Sequence, residues 1–429
     1  MKIQFERKSF LAQLKFAASV CPKAHITPIL TCVKIVANKK HGTIIHATDK
    51  EMGIRIKVDA DVLEPGVVLV PADRLIKKLS GSKQEQLVLE IRGEVGKETK
   101  LVMWGNLAGQ WEFPIDHKPH EYPNVADFNT KSYHLIDSNN LLKAINRTIF
   151  AADKAQVSIR NINCVCFECT KHKKDKYDTI SAVATDGRIM AVQEFPATCC
   201  KDHCFVSTVS NKPSISIPIK PLLLVEKLLK DKTNANVAVA MSINKDTVTF
   251  QFNNTVIFAH LHKGAFVAWR DVFWDANKYV TAATGCRTLR SAIETVATGL
   301  KDPCVVMMFD NHGTLTLEVN EKGIGRSKTT VPAVCDGQVT VGISAKHLLD
   351  ILKVLDPATS LTFYMDGDNG IIVNVSNDCR YIIMPRLGEP KYHVEKDGQD
   401  IGEFNHEKAL RSQGVPGTKV VRTQKSKNG

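Results

Sequence analysis

Ser181-Ala182-Val183-Ala184-Thr185-Asp186-Gly187-Arg188-Ile189-Met190-Ala191-Val192 reads as two strands joined by a tight turn at Asp186-Gly187. Asp-Gly between apolar runs is a strong hairpin signal. Glycine accepts positive φ, and the Asp side chain bonds its own backbone. The same device stands earlier, where Thr43-Ile44-Ile45-His46-Ala47-Thr48-Asp49 precedes Gly53-Ile54-Arg55-Ile56-Lys57-Val58. Both copies end a strand on Ala-Thr-Asp. Such repetition says that one module is used more than once.

The totals frame the reading. A chain of 429 residues holds about two to four domains. Hydrophobic residues make up 43%, enough for packed cores rather than global disorder. No apolar run is long enough to span a bilayer, and Met1 to Lys8 has no signal-peptide core. A cytoplasmic protein without membrane contact is expected. The twelve cysteines are then expected as reduced thiols. A net charge of +12 favours a polyanionic partner, nucleic acid first. The plain alternative is a basic protein with no such partner.

Residues 1–129 make the first module. Phe10, Leu11, Leu14, Ala17 and Ala18 recur at helical spacing between Ser9, a fair N-cap, and Val20, and Pro22 ends the helix. Lys15 lies off that stripe. Strands are expected over 29–36, 43–47 and 54–58, the last alternating Ile54, Ile56 and Val58 with charged neighbours. Pro71 suits the start of a second helix, with Leu75, Ile76 and Leu79 inward, Lys77 and Lys78 elsewhere, and Gly81 as the stop. Strands over 87–91, 99–104 and 109–113 complete the module.

The order recurs in residues 130–275. Ser138-Asn139-Asn140 caps a helix with Leu141, Leu142, Ile145 and Ile149 inward and Lys143 and Arg147 outward. Strands 162–167 and 179–185 and the Asp-Gly hairpin follow. Pro218 then opens a helix bearing Lys220, Lys227 and Lys230, as Pro71 does in the first copy. Strands 237–240, 247–252 and 256–260 end this copy. Residues 276–388 give a third: helix 286–296 with Arg287 and Arg290, strands 305–309 and 314–319, a helix entered at Ser344 with Lys346 and Lys353, and strands 361–365, 370–375 and 381–384. Asn320-Glu321-Lys322-Gly323 replaces the Thr-Asp turn. Residues 389–429 lose apolar periodicity. From Ala409 on they hold five cations (Arg411, Lys419, Arg422, Lys425, Lys427) and no acid. This reads as a disordered basic tail able to add a nucleic-acid contact.

Three copies of this order predict an α+β chain of three similar two-layer domains, helices on antiparallel sheet. Cationic helix sides without an aromatic platform imply phosphate contact rather than base stacking. The candidate DNA-binding residues are Lys15, Lys23, Lys77, Lys78, Lys143, Arg147, Lys220, Lys227, Lys230, Arg287, Arg290, Lys346 and Lys353.

Pro28-Ile29-Leu30, Ala47-Thr48-Asp49-Lys50-Glu51-Met52, Val70-Pro71-Ala72, Tyr122-Pro123-Asn124, Ala184 to Val192 and Tyr381-Ile382-Ile383-Met384-Pro385-Arg386-Leu387 stand in a telling order. Together they resemble the bacterial DNA polymerase III beta subunit family of sliding clamps. The resemblance implies the DNA clamp fold and a homodimeric ring that encircles double-stranded DNA and slides on it. It implies a processivity factor with no catalytic residue and no cofactor. The implied partners are the replicative DNA polymerase, a clamp loader and a second copy of the chain. It also implies a pocket between the second and third domains for a short Gln-and-hydrophobic peptide. Its residues here are Ile162, Thr185, Gly187, Arg188, Ile189, Met190, Val267, Val272, Ile382, Met384, Pro385, Arg386 and Leu387. An apolar anchor needs such an apolar wall with a few polar rims. On sequence alone Ile162, Val272 and Met384 are ordinary core residues. The chain departs from the family pattern at Ile189, Val267, Asp271 and Thr298-Gly299, in its basic charge, and in the residues after Leu387.

Two competing chemistries remain. Cys164, Cys166 and Cys169, with Cys199, Cys200, His203 and Cys204, have metal-like spacing, and Cys166, Cys169, Cys200 and Cys204 make a candidate thiolate set for zinc. The alternative is that alternating strand thiols pack as small hydrophobes. Asp49 and Asp186 make a candidate carboxylate pair for a metal-dependent nuclease, against the reading that each caps its own turn. Phosphate-loop, His-Glu-x-x-His and Gly-x-Ser-x-Gly signatures are missing. His46 and His347 read as single core-edge or surface histidines. A third reading is a DNA-binding scaffold that closes no ring.

Overall fold

The computed structural model describes residues 1–93, 100–106, 109–155, 162–171, 177–200, 214–231, 236–273, 279–321, 323–366, 370–386, 393–396 and 399–403. The chain forms two compact units, one of Met1–Leu142, Glu168–Ile180 and Pro196–Lys263, the other of Lys143–Phe167, Ser181–Phe195 and Gly264–Gly429.

The first repeat runs β1 (Lys2–Glu6), α1 (Arg7–Ala18), β2 (Cys32–Asn38), β3 (Gly42–Thr48), β4 (Met52–Val58), β5 (Ala60–Glu64), β6 (Gly66–Pro71), α2 (Ala72–Gly81), β7 (Gln86–Arg92), β8 (Lys100–Gly105) and β9 (Gln110–Pro114). The second runs β10 (His134–Asp137), α3 (Ser138–Thr148), β11 (Cys164–Thr170), β12 (Asp178–Thr185), β13 (Ile189–Cys199), β14 (Ser214–Pro218), α4 (Ile219–Leu229), β15 (Ala238–Ile243), β16 (Thr247–Phe252) and β17 (Thr255–His260). The third runs β18 (Val280–Gly285), α5 (Cys286–Val296), β19 (Cys304–Phe309), β20 (Thr314–Glu321), β21 (Gly325–Pro332), β22 (Val334–Cys335), β23 (Gln338–Ser344), α6 (Ala345–Val354), β24 (Ser360–Asp366), β25 (Gly370–Ser376) and β26 (Cys379–Ile383).

The order is the same each time: strand, helix, strands, helix, three strands. The second repeat has no separate partner to β5 because β13 runs on. Its end pairs with β10 as β5 pairs with β1 and β22 with β18. A hairpin of β27 (His393–Lys396) and β28 (Gln399–Glu403) then adds to the edge of β23. The expected tail therefore begins with sheet; residues from 404 on lie outside the described ones.

Helix starts depart from expectation in an instructive way. α1 begins at Arg7, capped not by Ser9 but by Glu6, whose carboxylate accepts the N–H groups of Lys8 and Ser9 at 2.9 and 2.6 Å. Those bonds hold the Glu6 carboxyl below its usual range. Asp137 caps α3, accepting from Asn139 and Asn140 at 3.0 and 3.1 Å. A carboxylate three residues earlier in α1, and one residue earlier in α3, outcompetes the hydroxyl or amide read as the cap. Pro71 and Pro218 end strands and immediately precede α2 and α4. Ser344 does cap α6, accepting from His347 at 3.1 Å. Pro28–Thr31 is a short 3-10 turn, not the start of a strand.

In the first unit one sheet has the order β5-β1-β7-β8-β9. A second antiparallel ladder runs β6-β2-β3-β4-β17-β16-β15-β10. In the second unit one ladder runs β13-β26-β25-β24-β18. The other has the order β21-β20-β19-β23-β27-β28. Helices α1 and α2 pack together, as do α5 and α6.

One joint therefore occurs twice. The third strand after a repeat's first helix pairs with the last strand of the following repeat, as β4 with β17 and β13 with β26. Among the described residues, β21 and β9 are the strands of those two types whose outer edges remain unpaired.

Tyr122 ties the end of the first repeat to its core. It is 5% exposed and packs with Ile29, Leu30, Cys32 and Leu69. Its hydroxyl donates to the Cys32 carbonyl at 3.1 Å and accepts from the Thr48 N–H at 3.2 Å. Tyr122→Phe takes that partner from the Thr48 N–H in a dry site and leaves the Cys32 carbonyl to the weaker Cys21 thiol donor at 3.5 Å. It should cost about 1–3 kcal/mol, read as a lower denaturant midpoint. An unchanged midpoint would show that the hydroxyl adds nothing.

Candidate functional site

The Thr-Asp turns are built alike. The Thr185 hydroxyl donates to the Ile189 carbonyl at 2.7 Å and accepts from the Gly187 N–H at 3.0 Å. Asp186 Oδ1 accepts the N–H groups of Arg188 and Ile189 at 2.8 and 2.9 Å. In the first repeat, Thr48 donates to the Met52 carbonyl at 2.7 Å and accepts from Lys50 at 3.0 Å. Asp49 accepts from Met52 at 2.8 Å. Gly187 has φ 88° and Lys50 φ 77°, so the first copy holds a lysine in the left-handed region. Three residues, not two, separate the strands. Each aspartate spends its carboxylate on its own turn, and Asp49 also pairs with Lys220. The nuclease pair has no support in this geometry.

Immediately after the second turn comes the β13–β26 ladder, with Ile189 opposite Ile383 and Met190 opposite Ile382. That register places Met190 and Ile382 in one apolar cluster with Cys166, Val183, Val192, Trp269 and Ile372. Phe266, Val267, Val272, Phe273, Tyr364 and Met384 pack against it and stay half-buried. Met190, Val267, Val272, Ile382 and Met384 were expected together, and they are together. Thr185 and Ile189 are buried beside them, Gly187 and Pro385 are half-buried, and Arg188 and Arg386 are exposed. Ile162 is buried, with its carbonyl accepting from Asp153 at 3.0 Å, and lies outside this cluster. Leu387 lies outside the described residues. Trp269 and Phe273, in edge contact at 6.1 Å, were missed. The signal was present: Phe266, Trp269 and Phe273 crowd a segment with no strand periodicity. Arg270 stacks on Trp269 at 4.1 Å and Arg380 on Phe273 at 4.6 Å, giving the apolar face a cationic border. On the Ile189 side of β13 lies a cavity of about 200 Å³, lined in part by Phe150, Asp186, Ile189, Lys346, His347 and Asp350.

The terminal segment is pinned in place. The Met384 N–H donates to the Arg188 carbonyl at 2.8 Å, and that of Arg386 to Gly342 at 2.8 Å. The Arg386 guanidinium donates to the Asp302 carbonyl at 2.7 Å and to its carboxylate at 3.1 Å. Burial alone would raise the Asp302 carboxyl, but bonds from Ser344 and the Lys346 N–H, with Arg386 alongside, hold it below its usual range.

The cationic candidates fall into two groups. Lys15, Lys23, Lys77, Lys78, Lys220, Lys227, Lys230, Arg287, Lys346 and Lys353 are exposed. Lys8 and Arg74 share this character and were missed, though both stand beside the chosen lysines on α1 and α2. Lys227 lies over the Phe16 ring at 5.6 Å, which sets α4 beside α1. Arg290 is half-buried and pairs with Glu294 at 2.9 Å. Lys143 and Arg147 do not project freely as expected. Lys143 pairs with Asp378 at 3.2 Å, and Arg147 donates to Gln193 at 3.0 Å. Gln193 in turn donates to Asp378 at 3.0 Å. These two cations brace α3 against β13 and the turn before β26.

The four-cysteine zinc set does not form. Cys166 joins the apolar cluster, whereas Cys169, three residues on, must face the other side of β11. The Cys200 N–H donates to the Tyr133 carbonyl at 3.0 Å. Cys204 and His203 lie outside the described residues. His46 is half-buried, and burial, with Arg55 and Lys34 nearby, pushes it down to about 4. His347 stands 3.7 Å from Asp186. No helix among the described residues is long and apolar enough to cross a membrane.

Residues 1–106 match the family model for the DNA polymerase III beta subunit, N-terminal domain, and residues 135–267 that for its central domain. The Caulobacter vibrioides beta sliding clamp is 23% identical over 393 residues, spanning 90% of this chain and 99% of its own. That of Pseudomonas aeruginosa is 23% identical over 395 residues, with 90% and 99% covered. Among solved structures, a Caulobacter crescentus beta sliding clamp aligns with a TM-score of 0.78 at 22% identity, covering 90% of this chain and 99% of that one. The Bacillus subtilis sliding clamp aligns with a TM-score of 0.78 at 17% identity, covering 91% and 100%. At these identities the structural likeness is one of fold.

The Asp302–Arg386 pair gives a pH signature. A depressed carboxyl stabilises the fold above its unfolded value of about 3.9 and loses that contribution as pH falls through the folded value. Asp302→Asn should therefore lower the denaturant midpoint at pH 7, with a difference from wild type that shrinks progressively as pH falls below about 3.9. A loss that does not change with pH would count against the ion pair.

Proposed function

We propose a function from a plain premise: the chain belongs to the DNA polymerase III beta subunit family. It is a DNA polymerase processivity factor, and it works as a sliding clamp. The observation that carries the ring is the twice-used strand joint. Each repeat offers a β4-type edge to the β9-type edge of the next. The open pair, β21 and β9, is the same pair of types. Two copies closing β21 of one on β9 of the other, twice, satisfy both edges. A closed assembly also removes the aggregation hazard of free edges.

The exposed cations of α1, α2, α4, α5 and α6 are the proposed contacts to duplex DNA. Backbone charge is the same for any sequence, so such contacts attract without reading bases. The half-buried face of Val267, Val272 and Met384, bordered by Arg270, Arg380 and Arg386, is the proposed seat for a short apolar peptide of the polymerase and of the clamp loader. Asp49 and Asp186 are already bound to their turns, which leaves the nuclease reading without a free carboxylate pair.

Three measurements test this. Clamp placed on nicked circular DNA by a loader should be lost when the circle is linearised; retention on linear DNA would count against a topological hold. Lys227→Glu with Lys353→Glu should weaken DNA binding at low salt by roughly tenfold, with the unfolding transition unmoved. Unchanged binding would remove α4 and α6 from the contact surface. Met384→Ala should reduce affinity for a polymerase-derived apolar peptide by about tenfold while DNA retention stays intact. Equal peptide binding would place the seat elsewhere.

A further inference from the structure

Away from the apolar cluster, three potential metal ligands meet in the first unit. His134 comes from β10, Cys169 from β11 and Asp178 from β12. Their ligand atoms all lie within 4.8 Å of one another. His134 is 1% exposed and Cys169 4%, while Asp178 is half-buried and so leaves a route from solvent. The His134 Nε2 to Asp178 Oδ2 separation is 3.8 Å. A tetrahedral zinc with bonds of about 2.0–2.3 Å sets its ligands roughly 3.3–3.8 Å apart. Small side-chain adjustments close the observed triangle onto an ion.

We infer that His134, Cys169 and Asp178 form a zinc site. One imidazole nitrogen, one thiolate and one carboxylate make a borderline-soft donor set that suits Zn²⁺ and disfavours Mg²⁺ or Ca²⁺. The half-buried Asp178 side leaves the fourth position of a tetrahedron to water. The ion would tie β10, β11 and β12 together at one sheet corner. Binding releases the Cys169 thiol proton, and no oxidant or reductant is required. The reading does not depend on the clamp assignment. The ordinary alternative is an imidazole–carboxylate pair with a thiol packed beside it.

The test uses the full chain prepared without chelator. Elemental analysis should find one zinc per chain. After removal of zinc, Co²⁺ should restore one ion per chain with a near-ultraviolet thiolate-to-metal band. A chromophoric chelator competing for Zn²⁺ should show Cys169→Ser weaker by about 100-fold and lacking that band. Cys335→Ser, in β22 of the other unit, should match wild type. Should Cys169→Ser fail to fold, Asp178→Asn at the half-buried corner supplies the same comparison, with weaker zinc binding and a retained thiolate band. Substoichiometric zinc, no thiolate band in the wild-type cobalt form, or full affinity in folded Cys169→Ser or Asp178→Asn would each overturn the site.

Discussion

The structure depends on a backbone ladder between strands of consecutive repeats. An unpaired strand edge carries donors and acceptors that water or another strand must satisfy. Here one repeat's edge is satisfied by the next, as β4 by β17 and β13 by β26. The ladder also decides which side chains meet. Alternation has a period of two, so a one-residue slip would turn Met190 and Ile382 to the opposite face. The Thr185-Asp186 turn prevents that slip. Its hydroxyl and carboxylate fix where β13 begins, and the Met384 N–H on the Arg188 carbonyl fixes where β26 ends. A side-chain-capped turn and a strand joint together make the apolar face.

How far the sequence reached follows from the range of each interaction. Hairpins and helix stripes are local, so they were legible. The expected inward residues Leu75 and Leu79 of α2 and Leu141 and Ile145 of α3 are buried. Glu6 and Asp137 were overlooked as caps because Ser9, three residues on, and Ser138, the next residue, match the same local pattern. The fate of Lys143 and Arg147 was not legible, because their partners Asp378 and Gln193 lie 235 and 46 residues away. A helical wheel places a cation off the core stripe but does not name the acid waiting there. Cys166 and Cys169 fail for the opposite reason. Their spacing suits a metal knuckle in a loop, but a strand sends them to opposite faces. The apolar face was legible where Met190, Ile382 and Met384 stand in the quoted motifs. Trp269 and Phe273 sit in an irregular connection, where no periodicity marks inward positions.

The exposed cations bear on the kind of contact the proposed DNA surface would make. Several have acidic neighbours on their own helix: Lys230 with Glu226 at 2.6 Å, Arg290 with Glu294 at 2.9 Å, Lys353 with Asp350 at 3.9 Å. Exposed pairs of this kind are weak and are screened by salt. They exchange readily for a phosphate and are as readily restored. A surface built this way attracts a polyanion through many shallow contacts, each renewed as the polymer shifts by one phosphate. Bidentate arginine forks aimed at base edges would instead create preferred stopping positions. Strong grip and free sliding are opposed demands on one surface. The proposed ring separates them: persistence would come from the strand joint closing on a second copy, and the helix faces would supply only weak, letter-blind attraction.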